Sequence, residues 1–147
     1  MTDLTDLYKQ VILDHNKNPR NFGRMKKADK VIEGFNPLCG DKITLYVCLK
    51  KNTLSKISFI GTGCAISIAS SSLMTEKVLG MKIDESILFF NKIHKMLTSN
   101  DPINDDLGKL NSLAGVREYP TRIKCASLAW HALNQTLTSK DKVISTE

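Results

Sequence analysis

The sequence lacks the features of a membrane-spanning or a secreted protein. No apolar run in its 147 residues approaches the roughly 20 residues that a membrane-spanning helix requires. Residues 1–3 do not begin a basic region followed by an apolar stretch, so we expect no secretory signal and no membrane partner. The expected location is the reducing cytoplasm, where cysteines serve metal binding or catalysis more often than disulfides.

The chain also lacks internal repeats, low-complexity linkers and a known nucleic-acid-binding motif, so we expect a single domain over residues 1–147 and no nucleic-acid partner. A chain of this length buries a core without needing disulfides. Much of its net charge of +6 lies in one basic stretch with only Asp29 against it, formed by Lys17, Arg20, Arg24, Lys26, Lys27 and Lys30. This basic stretch is either a solvated surface or a docking surface for an acidic protein, on the same face as Cys39.

Alternation of apolar and polar residues in the first half of the chain predicts half-buried strands. Residues 31–35 predict a weak strand, and residues 43–49 predict a strong one. A further strand is predicted over residues 54–60. Lys51 and Asn52 predict the turn that joins the last two strands into a hairpin.

Helical periodicity is found in five segments, residues 4–16, 64–79, 84–97, 107–113 and 121–138. Asp84 is predicted to cap the third helix, and Pro120 favours the start of the last one. Residues from about 139 read as a frayed polar tail. Together with the strands, these segments predict an α+β fold, in which a small antiparallel sheet of about three strands has helices packed on one face.

Three of the four cysteines stand at the ends of predicted elements, beside one carboxylate. Cys39 and Asp41 are two residues apart, so on an extended chain both side chains point to the apolar face of the sheet. Cys64 and Cys125 lie at predicted helix N-termini, where the macrodipole favours a thiolate. Three thiolates and a carboxylate suit tetrahedral Zn²⁺ and would leave a net charge of about −2. Arg122, one turn before Cys125, would offset that charge.

Spacing alone leaves open whether these cysteines share a metal or are separately buried as small apolar residues, because no two of them form a CxxC pair. Cys48 is predicted to be a packing residue, since its strand parity is opposite to that of Asp41 and about 23 Å separates the two positions. The three histidines are not expected to be ligands: His94 shows no ligand pattern, His131 falls in the middle of the last helix, and His15 reads as a surface or capping group.

Four stretches of the chain resemble the IscU/NifU-type iron–sulfur assembly proteins. In chain order they read YKQVILDHNKNPRN (residues 8–21), NPLCGD (36–41), GCAISIASSS (63–72) and RIKCA (122–126). Within that superfamily the chain resembles the SufU branch. Lys124 stands where IscU-type scaffolds carry a histidine before the third cysteine, and residues 84–113 leave room for an extra stretch found in SufU-type proteins.

The resemblance implies an IscU/SufU-like fold and a zinc site formed by Cys39, Asp41, Cys64 and Cys125. It also implies that the protein takes persulfide sulfur from a pyridoxal-phosphate-dependent cysteine desulfurase of the SufS type. Downstream iron–sulfur assembly proteins are then the expected recipients.

Our hypothesis is a zinc-dependent sulfurtransferase in which Cys39 accepts the sulfur, because it lies on a loop next to Gly40 whereas the other two cysteines are tied to helix ends. Arg122 is expected to steady the departing thiolate or persulfide. One alternative is a scaffold that holds a transient [2Fe–2S] cluster or iron on the same three cysteines with Asp41. Another is a structural zinc domain without sulfur chemistry.

Overall fold

Three antiparallel strands and a short fourth strand form one sheet in this computed structural model, which describes residues 4–100, 105–138 and 143–145. Within these ranges no helix has the length and apolarity needed to cross a membrane. The elements in chain order are α1 (Leu4–Lys17), β1 (Lys30–Asn36), β2 (Asp41–Lys50), β3 (Thr53–Thr62), α2 (Ala65–Val78), α3 (Ile83–Thr98), a 3₁₀ segment (Asp105–Glu118), α4 (Pro120–Thr138) and β4 (Val143–Ser145).

The strand pairing confirms the predicted hairpin. The strand order is β3-β2-β1-β4, and β2 is antiparallel to both β1 and β3. Lys51 and Asn52 close the β2–β3 hairpin in the left-handed conformation, with φ of 51° and 62°. Asn36 at the end of β1 lies opposite Asp41 at the start of β2. The β1–β2 turn and the end of β3 therefore meet at the same edge of the sheet.

The fourth strand was not predicted. Val143–Ser145 pairs in parallel with β1, with Gly34 opposite Ile144. These three residues fall in the stretch predicted to be a frayed polar tail, while residues 139–142 and 146–147 lie outside the described residues. Three residues carry too little periodicity to predict a strand, and this strand pairs with a segment that is remote in sequence.

Two helix predictions need correction. Asp84 does not cap α3: Lys82 occupies the N-cap position, and its backbone N–H donates to Glu85 Oε1 at 3.3 Å. Asp84 lies in the first turn instead, where its negative charge still favours the helix macrodipole. The segment predicted as a helix over residues 107–113 is the longer 3₁₀ segment Asp105–Glu118, which kinks at Gly108 (φ 57°).

The helices pack on one face of the sheet, as predicted. Helix α4 contacts β1 and β2, and α2 contacts β3. Leu45 and Phe59, paired across β2 and β3, are fully buried in the core. Trp130 of α4 is 1% exposed, packs 5.9 Å from the Phe89 ring of α3, and donates from Nε1 to Ser70 Oγ of α2 at 3.0 Å. This tryptophan therefore joins three helices in the core.

His15 is a core residue, and its predicted surface or capping position is wrong. Its exposed fraction is 1%, because α1 packs against α2 and the loop after α1 folds back over it. Its Nδ1 lies 2.8 Å from Ser72 Oγ, which also accepts a hydrogen bond from the Arg20 backbone N–H at 2.8 Å. Burial lowers the pKa of His15, so the folded protein favours the neutral imidazole.

Candidate metal centre

The turn between β1 and β2 carries two of the predicted ligands. Cys39 lies on this turn and is half-buried, whereas Asp41 begins β2 and is 1% exposed. Gly40 between them has φ of 68°, a left-handed conformation that glycine adopts without strain. Leu38 is 66% exposed, so the tip of the turn faces solvent. Cys39 is thus more accessible than the fully buried Cys125, while Cys64 is half-buried like Cys39.

Cys64 lies at the N-terminus of α2, as predicted, and its backbone is tied to Asp41. Cys64 is the N-cap residue, and its N–H donates to Asp41 Oδ1 at 2.8 Å. Gly63 precedes it with φ of 139°. A Cβ atom at position 63 would overlap Asp41 Oδ1 and lie 2.8 Å from Asp41 Cα, so only glycine permits this close approach.

The structure brings three of the four predicted ligand residues into one cluster, and Cys64 lies beside it. The donor atoms of Cys39, Asp41 and Cys125 all lie within 4.8 Å of one another. Cys125 Sγ lies 3.1 Å from Cys39 Sγ. Cys64 stands outside this group of three, but its Sγ lies 3.9 Å from Asp41 Oδ2. These residues come from the β1–β2 turn, the start of β2, the N-terminus of α2 and the second turn of α4.

Three thiols and a carboxylate are the kind of donors that zinc takes. Zinc–sulfur bonds of about 2.3 Å and zinc–oxygen bonds of about 2.0 Å place neighbouring ligand atoms roughly 3.5–3.8 Å apart. The distances of 3.1 Å between Cys39 and Cys125 and 3.9 Å between Cys64 and Asp41 lie near that spacing, but Cys64 is not within 4.8 Å of every other donor and would have to move to complete a tetrahedron. Thiolates also bind the iron of iron–sulfur clusters, so the donor chemistry fits both metals.

Cys125 does not have the environment predicted for it. Helix α4 begins at Pro120, so Cys125 lies in the second turn, where the macrodipole has largely faded. The thiol is fully buried. Burial, followed by hydrogen bonds with Cys39 and Asp41, raises the pKa of Cys125 above its ordinary value. The metal-free site therefore holds this thiol protonated, and metal binding has to release the proton.

Arg122 lies at the cysteines, as the sequence predicted. Its Nη1 is 3.6 Å from Cys39 Sγ. Hydrogen bonding with Cys125, followed by the charges of Cys64 and Cys39, raises the pKa of Arg122, which stays cationic. The first turn of α4 thus provides a permanent positive charge beside the sulfur of Cys39.

Two residues near the centre were missed by the sequence-based prediction. Asn36 is fully buried, and its amide contacts Asp41 and Cys125. Its place directly after the predicted strand over residues 31–35 and three residues before Cys39 was a usable signal. Tyr8 is 9% exposed, and burial is the largest cause of its raised pKa, with Tyr119 and then Cys64 contributing. A Cβ at position 115 would lie 2.6 Å from the Tyr8 ring, so Gly115 makes room for that ring.

The remaining cysteine and two histidines lie away from these contacts. Cys48 Sγ is 3.2 Å from Met25 Sδ, which agrees with the predicted packing role. His94 and His131 pack against each other with ring centroids 5.4 Å apart and both contact Phe90. Within the described ranges, no histidine belongs to a metal-ligating cluster of three or more residues.

The basic stretch is not gathered beside Cys39. Arg24 lines a cleft with Lys42, Thr44 and Tyr46, whose strand parity places them on the face of the sheet opposite to Asp41. The Lys27 carbonyl oxygen lies 3.6 Å from Cys48 Sγ, at the other end of β2. Seven strand residues, about 23 Å, separate Cys48 from Asp41. Neither contact places these basic residues beside the exposed turn, so docking through the basic stretch stays a prediction.

Comparison with known proteins gives the same family as the sequence motifs. The model of the NifU-like N terminal domain family matches residues 7–138. The zinc-dependent sulfurtransferase SufU of Bacillus subtilis (strain 168) is 40% identical over 141 residues, which cover 95% of each protein. The iron–sulfur cluster assembly scaffold protein IscU of Streptococcus pyogenes serotype M1 is 38% identical over 138 residues, covering 93% of this chain and 86% of that protein.

The fold supports the same assignment. The crystal structure of a candidate iron–sulfur cluster assembly scaffold protein for the SUF system, from Fervidobacterium islandicum AW-1, matches with a TM-score of 0.84 at 32% identity. The match covers 90% of this chain and 97% of the other. The chain therefore belongs to the NifU-like N-terminal domain family, together with the iron–sulfur cluster assembly proteins SufU and IscU.

Proposed function

We propose that the protein is a zinc-dependent sulfurtransferase that accepts persulfide sulfur from a SufS-type cysteine desulfurase and passes it to downstream iron–sulfur assembly proteins. The name of the SufU relative at 40% identity supports this activity. One observation supports the choice of Cys39 as the residue that accepts the sulfur. Cys39 lies on a turn with an exposed tip, whereas Cys64 caps α2 and Cys125 is fully buried in α4.

The proposed transfer is an exchange that needs no external oxidant. The Cys39 thiolate attacks the outer sulfur of the persulfide on the desulfurase cysteine, and a new S–S bond forms to Cys39 Sγ. The original S–S bond breaks, and its electron pair leaves on the desulfurase cysteine as a thiolate. A second exchange of the same kind moves the outer sulfur from Cys39 to a thiol of the recipient and restores the Cys39 thiolate.

Asp41, Cys64 and Cys125 would hold zinc throughout, and Cys39 would be the exchangeable fourth ligand. Bound zinc supplies the chemistry of a Lewis acid that keeps coordinated thiols ionised at neutral pH. Asp41 is suited to remain in place, because its carboxylate accepts hydrogen bonds from the Cys64 backbone and from Asn36.

Arg122 would stabilise the sulfur that Cys39 carries. A guanidinium 3.6 Å from Cys39 Sγ attracts the negative charge of a thiolate or of a persulfide. Its position is fixed by the helix, since its backbone N–H donates to the Tyr119 carbonyl at 2.7 Å in the first turn of α4. The proposed exchange needs free thiols, so we place the protein in a reducing compartment such as the cytoplasm.

A scaffold that carries a [2Fe–2S] cluster is the second candidate, because a relative named as an IscU scaffold is 38% identical over most of its length. The same three cysteines and Asp41 would then bind iron. Anaerobic incubation with iron and sulfide separates the two functions. The sulfurtransferase stays colourless and retains about one zinc per chain, whereas a scaffold turns brown with visible absorbance.

The acceptor role is tested by Cys39→Ala in a desulfurase assay that follows alanine release from cysteine. We expect the variant to lose the stimulation of the desulfurase while it stays folded, because three ligands remain. Cys48→Ser is the matched control, since it changes a thiol at the far end of β2. Full stimulation by Cys39→Ala would show that another group accepts the sulfur.

A further inference from the structure

Asn36 is a buried polar residue with no part in the exchange step itself. It is fully buried at the end of β1, directly opposite Asp41. Its Nδ2 donates to Asp41 Oδ2 at 3.1 Å and to Cys125 Sγ at 3.3 Å. An amide nitrogen carries two protons, so both are directed at proposed metal ligands.

The oxygen of the same amide adds no stabilising hydrogen bond. Asn36 Oδ1 is buried and has no hydrogen-bond partner among the residues that the structure describes. A buried acceptor without a partner destabilises the folded state, and the two hydrogen bonds donated to the buried Asp41 and Cys125 offset that cost. The benefit of asparagine at this position therefore lies in those two hydrogen bonds, both to proposed metal ligands.

The side chain of Asn36 acts on two ligands and leaves Cys39 free. The Cys39 thiol contacts Cys125 Sγ and Arg122 Nη1, and neither proton of the Asn36 amide is directed to it. The link between Asn36 and Cys39 is through the backbone, where the Cys39 N–H donates to the Asn36 carbonyl at 3.3 Å. Any residue at position 36 keeps that backbone acceptor.

We propose that Asn36 is a positioning residue, which fixes Asp41 and Cys125 so that the centre keeps its metal while Cys39 leaves to carry sulfur. This inference rests on the proposed zinc site and on Cys39 as its exchangeable ligand. Outer partners that orient metal ligands typically change metal affinity by about 10–100-fold.

The test measures zinc affinity by competition with a chromophoric chelator. Asn36→Ala and Asn36→Leu are each made in the wild-type protein and in the Cys39→Ala variant. We expect zinc to bind about 10–100-fold more weakly in both backgrounds. The loss of zinc affinity should be at least as large without Cys39, because Asp41 and Cys125 are then two of the three remaining ligands. Cobalt(II) substituted for zinc should also show a changed absorption spectrum, which reports ligand geometry independently of activity.

The matched control is Asn21→Ala, which removes an amide that donates to Thr75 Oγ1 at 3.1 Å. Thr75 lies eleven residues along α2 from Cys64, about 16 Å away, so zinc affinity should not change. Asn36→Leu keeps the branched shape of the side chain at a larger volume, and it serves as the second variant if Asn36→Ala does not fold. Unchanged zinc affinity, a loss that vanishes in the Cys39→Ala background, or unfolding of both variants would overturn the inference. Desulfurase stimulation by the natural protein separately decides the proposed function.

Discussion

Gly63 lies where the chain passes closest to Asp41, so one added methyl group tests the geometry of the centre. A Cβ there would overlap Asp41 Oδ1, and φ of 139° is a backbone conformation that L-residues rarely adopt. Backbone strain costs about 1–3 kcal/mol, and overpacking adds about 1–3 kcal/mol. We expect Gly63→Ala to lower the free energy of unfolding by about 2–6 kcal/mol and to displace the Asp41 carboxylate.

Gly80→Ala separates strain from contact. Gly80 has φ of 88°, but a Cβ at this position would meet no atom within 4 Å. In this control variant the free energy of unfolding should fall only by the cost of backbone strain, about 1–3 kcal/mol. It should bind zinc as the wild-type protein does. Urea unfolding of the metal-free proteins and zinc competition give both quantities. Equal destabilisation and equal zinc affinity in the two variants would refute the close packing of Gly63 on Asp41.

Three further predictions follow from the site and its surroundings. Asp41→Ala should bind zinc more weakly and stay colourless after anaerobic reconstitution with iron and sulfide; a stable brown cluster would favour the scaffold. Because burial lowers the pKa of His15, the stability it contributes is present above pH 6.5 and is lost as the pH falls below that value. Urea midpoints should therefore decrease more steeply toward pH 5 in the natural protein than in His15→Gln, and parallel curves would contradict this. Charge reversal at Arg24, Lys26 and Lys27 together should raise the half-maximal concentration for desulfurase stimulation more at low salt than at high salt, and an unchanged value at both salts would leave the basic stretch as solvated surface.

Local patterns predicted most of the fold because its main pairings are local. The alternation in β2 and the left-handed pair Lys51 and Asn52 determine a hairpin between neighbouring segments. Strand β4 escaped prediction because its three residues pair with a distant part of the chain. The burial of His15 was not predicted for a related reason, since it contacts Ser72, which lies in a helix far along the sequence.

The ligand candidates could be predicted, but their environments could not. The two-residue spacing of Cys39 and Asp41 pointed to the right pair for a reason that the structure does not bear out, because Cys39 lies on a turn with Gly40 in the left-handed conformation and not on an extended strand. The thiol of Cys125 has a raised pKa where helix position alone predicts a lowered one, because burial outweighs the macrodipole beyond the first turn. The contacts of Asn36 likewise depend on how α4 packs against β1, which periodicity does not determine.

The most direct test of the account is to find which cysteine carries the sulfur. The zinc-loaded protein is incubated with a SufS-type desulfurase and cysteine, then alkylated, digested and mapped by mass spectrometry. The account predicts that the peptide with Cys39 gains one sulfur atom and that the peptides with Cys64 and Cys125 do not. A persulfide on Cys64 or Cys125, or none on Cys39 while the desulfurase is still stimulated, would contradict it.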